Sequence, residues 1–315
     1  MIKNILKYED VMEKVLNKNR IIYVPNVEIY HTAIPYLISL FNASLTRNLT
    51  NVDKNKDIIL YNFTFPWQSF EWINILKKEQ EIIIGGIGTI LFKEKLPKKD
   101  NVYIYTKKLP IIEHKIIPDY KAIIDYNPFI EFLMVYSGDG CHWSKCKFCY
   151  YRNNERIEEN TKYVSECILS VNHSNKLAGL SCPCHSLEWL LELEKKLPKD
   201  DSRRYWAYVR ATDGLDLLKH SLDLYIGSEY LSDSVLNRIN KGLSSDLIMS
   251  TILKVLKSGT NVWTNIIEDL YNTDDELKEH HRNKLVLLEK ARDIFSSGGG
   301  RLYMTCNLLQ GNYSI

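Results

Sequence analysis

Three cysteines stand close together in the stretch SGDGCHWSKCKFCYY, residues 137–151: Cys141, Cys146 and Cys149, with His142, Trp143, Lys145 and Phe148 between them. Thiolates are soft ligands that select zinc, copper or iron–sulfur clusters over oxygen-loving cations. A structural zinc site asks for four protein ligands, so it would need His142 or a distant cysteine to close the tetrahedron. His142, adjacent to Cys141, is awkwardly placed to reach the same ion. A plant-type ferredoxin also uses C-x4-C-x2-C with a remote fourth cysteine. Its loop must wrap tightly around the cluster, which suits small residues better than Trp143, Lys145 and Phe148. Three cysteines on a 4Fe–4S cube would leave one iron without a protein ligand, and a small molecule can bind there.

The loop needs elements to hold it. From residue 131 the chain alternates strand-like runs (EFLMVYS, KLAGLSC, RRYWAYVR, LDLYIGS, TNVWTNII, RLYMTCNLL) with helical patterns. The helical candidates are KYVSECILSV, SLEWLLELEKKL, GLDLLKH, the long SDSVLNRINKGLSSDLIMSTILKVLKSG and TDDELKEHHRNKLVLLEKARDIF, with Ser186, Ser232 and Thr273 as N-caps. Six strands over 131–315 give about 31 residues per unit, close to the roughly 30 of a βα repeat. A closed eight-unit barrel needs about 250 residues. The sequence therefore predicts an α/β chain whose second domain, 131–315, is a partial six-unit βα barrel. Ligands are expected at the carboxyl ends of its strands, and the cysteine loop directly follows the first of them.

Residues 1–110 read as a small α/β (Rossmann-like) domain, with strands at RIIYVPN, DIILYNF and EIIIGGIG and helical stretches at YHTAIPYLISLFNASL and SFEWINILKKEQ. The lysine- and proline-rich run from FKEKLPKKDNVYIY to IIDYNPF looks like a connection lying over the surface, with 111–130 as the connecting segment proper. The chain has 315 residues, 45% hydrophobic and 25% charged, and a net charge of +2, which shows none of the basic excess usual in nucleic-acid binders. Its longest apolar stretch, EIIIGGIGTILF, is too short to span a bilayer. No secretory signal is evident, so a cytoplasmic location is expected. Seven cysteines, an odd number, disfavour a disulfide framework.

With this context, GCHWSKCKFC resembles the cluster loop of the radical S-adenosylmethionine superfamily, in the branch with an amino-terminal cobalamin-binding-type domain. The commonest spacing there is C-x3-C-x2-C, from which the x4 interval departs; lengthened loops with an aromatic after the first cysteine occur in this branch. The resemblance covers essentially the whole chain. It implies that Cys141, Cys146 and Cys149 hold a 4Fe–4S cluster, whose open iron takes the amino and carboxylate groups of S-adenosylmethionine. It also implies that Phe148 lies beside the adenine and that Ser228 and Glu229, in LYIGSEYLSDS, sit near the cofactor. Arg210, ending the third strand, is a candidate partner for the methionyl carboxylate, since a guanidinium grips a carboxylate bidentately.

LSCPCHS replaces the Gly-Gly-Glu turn that often follows the second strand, so the amino-group contact has no assigned partner. Gly85, Gly86 and Gly88 resemble the glycine turn near the nucleotide tail of cobalamin, but no Asp-x-His-x-x-Gly loop is present, which leaves cobalamin open. The same glycines also read as a tight turn after a buried strand.

The implied reaction is reductive cleavage of S-adenosylmethionine to a 5′-deoxyadenosyl radical that takes hydrogen from a bulky substrate such as a peptide, with flavodoxin or ferredoxin as electron donor. Cys184 and Cys306 are candidate hydrogen-atom donors for an epimerisation; with cobalamin the outcome would be C-methylation. Cys182, Cys184 and Cys306 equally suit packing as small buried hydrophobes. His280 and His281, in a charged helical run, are expected to be solvated. A passive iron–sulfur electron carrier and a zinc-stabilised binding module are the alternatives to the enzyme.

Overall fold

The structure, a computed structural model, describes residues 5–23, 43–62, 70–106 and 117–307, leaving out 17, 47–48, 50–51, 54, 75, 77, 86–88, 90–94, 119, 127, 150, 153–155, 201, 268–269 and 271 within those spans. The chain divides into two compact units, Met1–Leu133 and Met134–Ile315.

In the first unit, β1 (Ile5–Leu6), β2 (Asn19–Tyr23), β3 (Ser44–Thr46), β4 (Asp57–Asn62), β5 (Ile82–Gly85) and β6 (Val102–Tyr105) form one sheet in the order β1-β6-β5-β4-β2-β3. Every pairing is parallel. Leaving aside the edge strand β1, the order 3-2-4-5-6 reverses beside β2, as in flavodoxin-like sheets, which place ligands outside the carboxyl ends at that reversal. A parallel sheet covered on both faces needs continuous apolar strands. The sequence supplies them: Ile58, Ile59, Leu60, Tyr61 and Ile82, Ile83, Ile84 are all buried.

Several local expectations are corrected. VYIY, read as surface connection, is β6, with Val102, Ile104 and Tyr105 buried. Its lysine-rich flanks hid a four-residue apolar run that the sheet needs between β1 and β5. Of the helical stretch at 69–80, the described residues form only a 3-10 turn, Glu71–Asn74. Helix α1 (Tyr8–Leu16) precedes β2, and α2 (Tyr120–Tyr126) falls inside the segment expected to be a connection. Of the expected helix YHTAIPYLISLFNASL, residues 30–42 lie outside the described residues, as do glycines Gly86 and Gly88, while Ser44 and Leu45 at its end belong to β3 instead. Gly85 ends β5.

The second sheet runs β14-β13-β12-β11-β10-β7, so strands adjacent in space are consecutive along the repeat. These are β7 (Phe132–Val135), β10 (Leu177–Leu180), β11 (Tyr205–Val209), β12 (Ser221–Ile226), β13 (Asn261–Ile267) and β14 (Leu302–Asn307). The pairings from β10 to β14 are parallel. Each of the six strand-like runs of the sequence contains one of them. A small antiparallel pair, β8 (Gly138–Asp139) with β9 (Ile157–Glu158), follows β7. Among the described residues the six strands of this second sheet thus form a partial βα barrel, with β7 and β14 as its edges.

Its helices are α3 (Thr161–Asn172), α4 (Leu187–Glu194), α5 (Asp233–Arg238), α6 (Ser245–Lys257) and α7 (Asp274–Ser296). Ser186 caps α4 by accepting from the Trp189 N–H, and Thr273 caps α7 by accepting from the Glu276 N–H. Ser232 makes no side-chain cap bond; its hydroxyl donates to Glu279 at 2.6 Å. The helix expected over 232–259 is two helices. Asn240 (φ 56°) and Gly242 (φ 63°) take left-handed backbone and break it, and GLDLLKH is reduced to the 3-10 turn Leu215–Leu217.

His280 is fully buried, against expectation: its Nδ1 accepts from the Leu231 N–H at 3.1 Å and its ring stacks on Tyr230 at 3.9 Å. His281, the next residue of α7, is exposed.

Glu276 ties the start of α7 to α5, accepting from Arg238 at 2.5 Å, Ser234 at 2.8 Å and the Asn272 N–H at 2.7 Å. The Arg238 hydrogen bond is the main cause that holds its carboxyl at about 2, below the ordinary 4.5. A depressed carboxyl stabilises the fold above the unfolded value and loses that contribution as pH falls toward the folded one. The stability gap between the wild type and Glu276→Gln, read from urea unfolding, is therefore expected to be full above pH 4.5 and to close as pH falls toward about 2. A gap constant with pH would contradict this.

Candidate metal centre

The cysteine loop begins two residues after β8, at the carboxyl end of the first strand, and a second loop holds it in place. The Trp143 indole N–H donates to the Asn240 carbonyl at 2.8 Å, the Lys147 N–H to the Ile239 carbonyl at 2.9 Å, and the Asn240 amide to the Lys145 carbonyl at 3.1 Å. These partners lie in the break between α5 and α6, so the interruption of the long helix serves as the dock for the cysteines. Gly242 makes the close approach possible. A Cβ there would meet the Trp143 ring at 2.2 Å, on backbone at φ +63°. Gly242→Ala is accordingly expected to cost about 1–3 kcal/mol in chemical denaturation; a cost near zero would show that Trp143 does not need this seat.

Within the loop the Cys149 N–H donates to the Cys146 carbonyl at 3.2 Å, closing a tight turn that contains the half-buried Phe148. The thiols lie within electrostatic reach of one another: burial pushes Cys146 and Cys149 up, and each is raised further by a neighbouring cysteine of the triplet. Cys141 is pulled down to about 5, chiefly by a hydrogen bond from Cys184 and further by the Ser144 and Trp143 backbones.

Fixed charges surround the triplet. Lys241 pairs with Glu229 at 2.8 Å, with side chains only 9% and 16% exposed. Burial works against the Lys241 charge, but Glu229 and the neighbouring Cys146 outweigh it and raise the ammonium's pKa. Glu229 sits on left-handed backbone (φ 56°), and Gly227 leaves room for the pair, its missing Cβ lying 3.0 Å from a Glu229 oxygen. Arg210, just past β11, lies over the Trp143 ring at 4.2 Å and donates to the Lys241 carbonyl. It too interacts electrostatically with Cys146, Cys184, Cys141 and Glu229. The donor set of three soft sulfurs beside two cations fits an anionic thiolate-bound group: the cations offset charge that would otherwise be costly to bury.

The structure therefore brings Cys141, Cys146, Cys149, Arg210, Glu229 and Cys184 into one neighbourhood. Ser228 is buried, and its hydroxyl is bonded to Thr264 between β12 and β13. Cys182 is buried with its Sγ on the Gly140 carbonyl at 3.6 Å. Cys306 is exposed on the edge strand β14, 3.4 Å from the Lys284 ammonium.

Several site residues escaped the sequence reading. Lys241 and Asn240 lie in INKG, whose Asn and Gly mark a turn that the surrounding helical periodicity masked. His142, the neighbour of Cys141 in sequence, has its Nδ1 3.4 Å from the Cys184 Sγ. The link is Cys184, which a parallel bridge sets beside Cys141. Across the sheet, Tyr208, Tyr225, Trp263 and Tyr303 stand in register on four neighbouring strands, all half-buried. The Trp263 and Tyr303 rings stack at 4.3 Å. This row gives one face of the sheet an apolar, planar lining.

A six-strand partial barrel with a three-cysteine loop after its first strand, following a flavodoxin-like sheet in the chain, is also the fold of a solved structure. The chain has the fold of the cobalamin-dependent S-adenosylmethionine radical enzyme OxsB. It superposes on the aqua-cobalamin-bound structure with a TM-score of 0.63 at 15% identity over 96% of this chain, and on the structure with aqua-cobalamin and S-adenosylmethionine with 0.62 at 14%. The apo structure gives 0.61 at 14% identity. This chain spans 55–61% of the length of those structures. By sequence it matches no family model and no curated protein. Among the described residues no helix is long and apolar enough to cross a membrane.

Proposed function

We propose that the chain is a radical S-adenosylmethionine enzyme, in which Cys141, Cys146 and Cys149 hold a 4Fe–4S cluster and S-adenosylmethionine binds at the iron they leave open. The observation that carries this reading is the seating of the triplet at the carboxyl end of the first barrel strand, where ligands of βα folds bind. When bound, cluster and S-adenosylmethionine supply a 5′-deoxyadenosyl radical on reduction.

The protein's part is to position and to exclude water. Arg210 would receive the methionyl carboxylate, a role supported by its place beside the triplet and by the charge it shares with Lys241 there. Glu229, fixed by Lys241, offers the carboxylate that LSCPCHS lacks for the amino group, and Phe148 flanks the adenine. Ser228, with its hydroxyl already bonded to Thr264, would contribute through its backbone. The aromatic row supports a bulky substrate, a peptide in our reading, by offering it a broad planar surface.

Of the two candidate hydrogen-atom donors, burial beside the triplet supports Cys184, and exposure at the sheet edge argues against Cys306. Cobalamin would belong to the first unit, with flavodoxin or ferredoxin as electron donor. Seven free cysteines support a reducing, cytoplasmic setting.

Anaerobic reconstitution tests the cofactor assignment: a brown protein with about four irons and four sulfides per chain is expected. A colourless chain that takes up zinc and no sulfide would favour the binding module instead. Product analysis in deuterated water then separates the outcomes, a gain of one methyl marking cobalamin-linked transfer and a gain of one deuterium marking epimerisation.

A further inference from the structure

Outside the triplet, His142 and Cys184 have no part in holding a cluster, yet they stand with Cys141 as a set of their own. One ligand atom from each of Cys141, His142 and Cys184 lies within 4.8 Å of the others. His142 Nδ1 is 3.4 Å from the Cys184 Sγ and 3.5 Å from the Cys184 carbonyl oxygen.

With metal–sulfur bonds of about 2.3 Å and metal–nitrogen bonds of about 2.0–2.1 Å, the edges of a tetrahedron around one zinc ion come to roughly 3.4–3.8 Å. The 3.4 Å between His142 Nδ1 and the Cys184 Sγ is such an edge, and the other two separations stay within 4.8 Å. A cube, by contrast, carries each cysteine on a different iron, so its ligand sulfurs do not crowd together in this way.

The fold sets the geometry. Cys141 and Cys184 face each other across a parallel bridge at the carboxyl ends of neighbouring strands, and left-handed Ser144 turns the loop just beyond His142. We propose that Cys141, His142 and Cys184 form a site for a single tetrahedral, thiophilic divalent cation, zinc(II) being the best match, with water as fourth ligand. Two thiolates and an imidazole are a donor set that selects zinc over hard cations. The ion occupies the chain that holds no cluster.

The existence of this site does not depend on the radical reading. One consequence does: because Cys141 would serve both groups, zinc and cluster would exclude each other. Zinc would then guard a thiolate until assembly, or block assembly when in excess.

The test uses the full chain, reduced, stripped with chelator and titrated under nitrogen with Co(II), whose spectrum reports coordination. One equivalent should bind, with thiolate charge-transfer absorption and the intense visible bands of a tetrahedral site, and Zn(II) should displace it. Cys184→Ser and His142→Ala should each weaken binding by at least about 10–100-fold. His142→Ala opens no core cavity, so its effect reads the ligand and not the fold. Cys146→Ala and Cys149→Ala should bind Co(II) as the wild type does, whatever becomes of cluster assembly. Loss of the spectrum in Cys146→Ala or Cys149→Ala with retention in Cys184→Ser and His142→Ala would overturn the proposal, as would an octahedral spectrum. If the Co(II) site is intact and no variant or wild type ever takes up iron and sulfide, the radical reading fails while this one stands. Zinc-loaded chain that assembles a cluster without releasing its zinc would overturn the exclusion.

Discussion

Cys146→Ala is expected to yield a folded chain that takes up no 4Fe–4S cluster and forms no 5′-deoxyadenosine, and Cys141→Ala and Cys149→Ala are expected to do the same. Each thiolate would supply one of only three protein bonds to the cube, so no partial occupancy compensates for its loss. The fold should survive, because the loop is seated by Trp143, Lys147 and Asn240 and not by its thiols. Iron and sulfide analysis together with chromatographic assay of deoxyadenosine reads the outcome. Activity retained in all three variants would refute the assignment of the triplet.

The second large effect concerns Lys241. Its ammonium is buried against Glu229, and removing one partner of such a pair leaves a charge without compensation. Lys241→Met should destabilise the chain by about 3–5 kcal/mol in chemical denaturation, whereas Lys241→Met combined with Glu229→Gln should recover most of that loss. The double variant separates the cost of an unpaired carboxylate from that of altered packing. If the single substitution costs less than about 1 kcal/mol, the pair is of the weak, solvent-screened kind, and it cannot be what fixes Glu229 beside the triplet.

Much of the barrel was legible because its strands are short apolar and aromatic runs at a regular interval, a pattern that parallel packing under helices imposes. All six runs became strands. What escaped were features set by distant partners. The break between α5 and α6 lies inside an otherwise helical pattern, and its purpose is visible only when Asn240 meets Trp143, 97 positions earlier in the chain. β6 is a run of four apolar residues between lysines, and its burial follows from the sheet and not from its neighbours in sequence. His280 sits in a charged helix, but one face of that helix packs on Tyr230, where an imidazole can stack and accept a hydrogen bond.

At the candidate site, the closeness of Cys141, Cys146 and Cys149 follows from their spacing in the sequence. The relation of Cys184 to Cys141 does not, since it arises from strand adjacency across 43 residues. The same holds for the pairing of Glu229 with Lys241, which depends on a left-handed turn at Glu229 that only the folded chain reveals.

The central claim meets its most direct test in a single anaerobic assay: the reconstituted full chain, reduced with dithionite in the presence of S-adenosylmethionine, with 5′-deoxyadenosine and methionine measured against a control without reductant. Release of deoxyadenosine that requires reductant and disappears in Cys149→Ala is the predicted result. A chain that holds a reduced 4Fe–4S cluster and binds S-adenosylmethionine but forms no deoxyadenosine would contradict it.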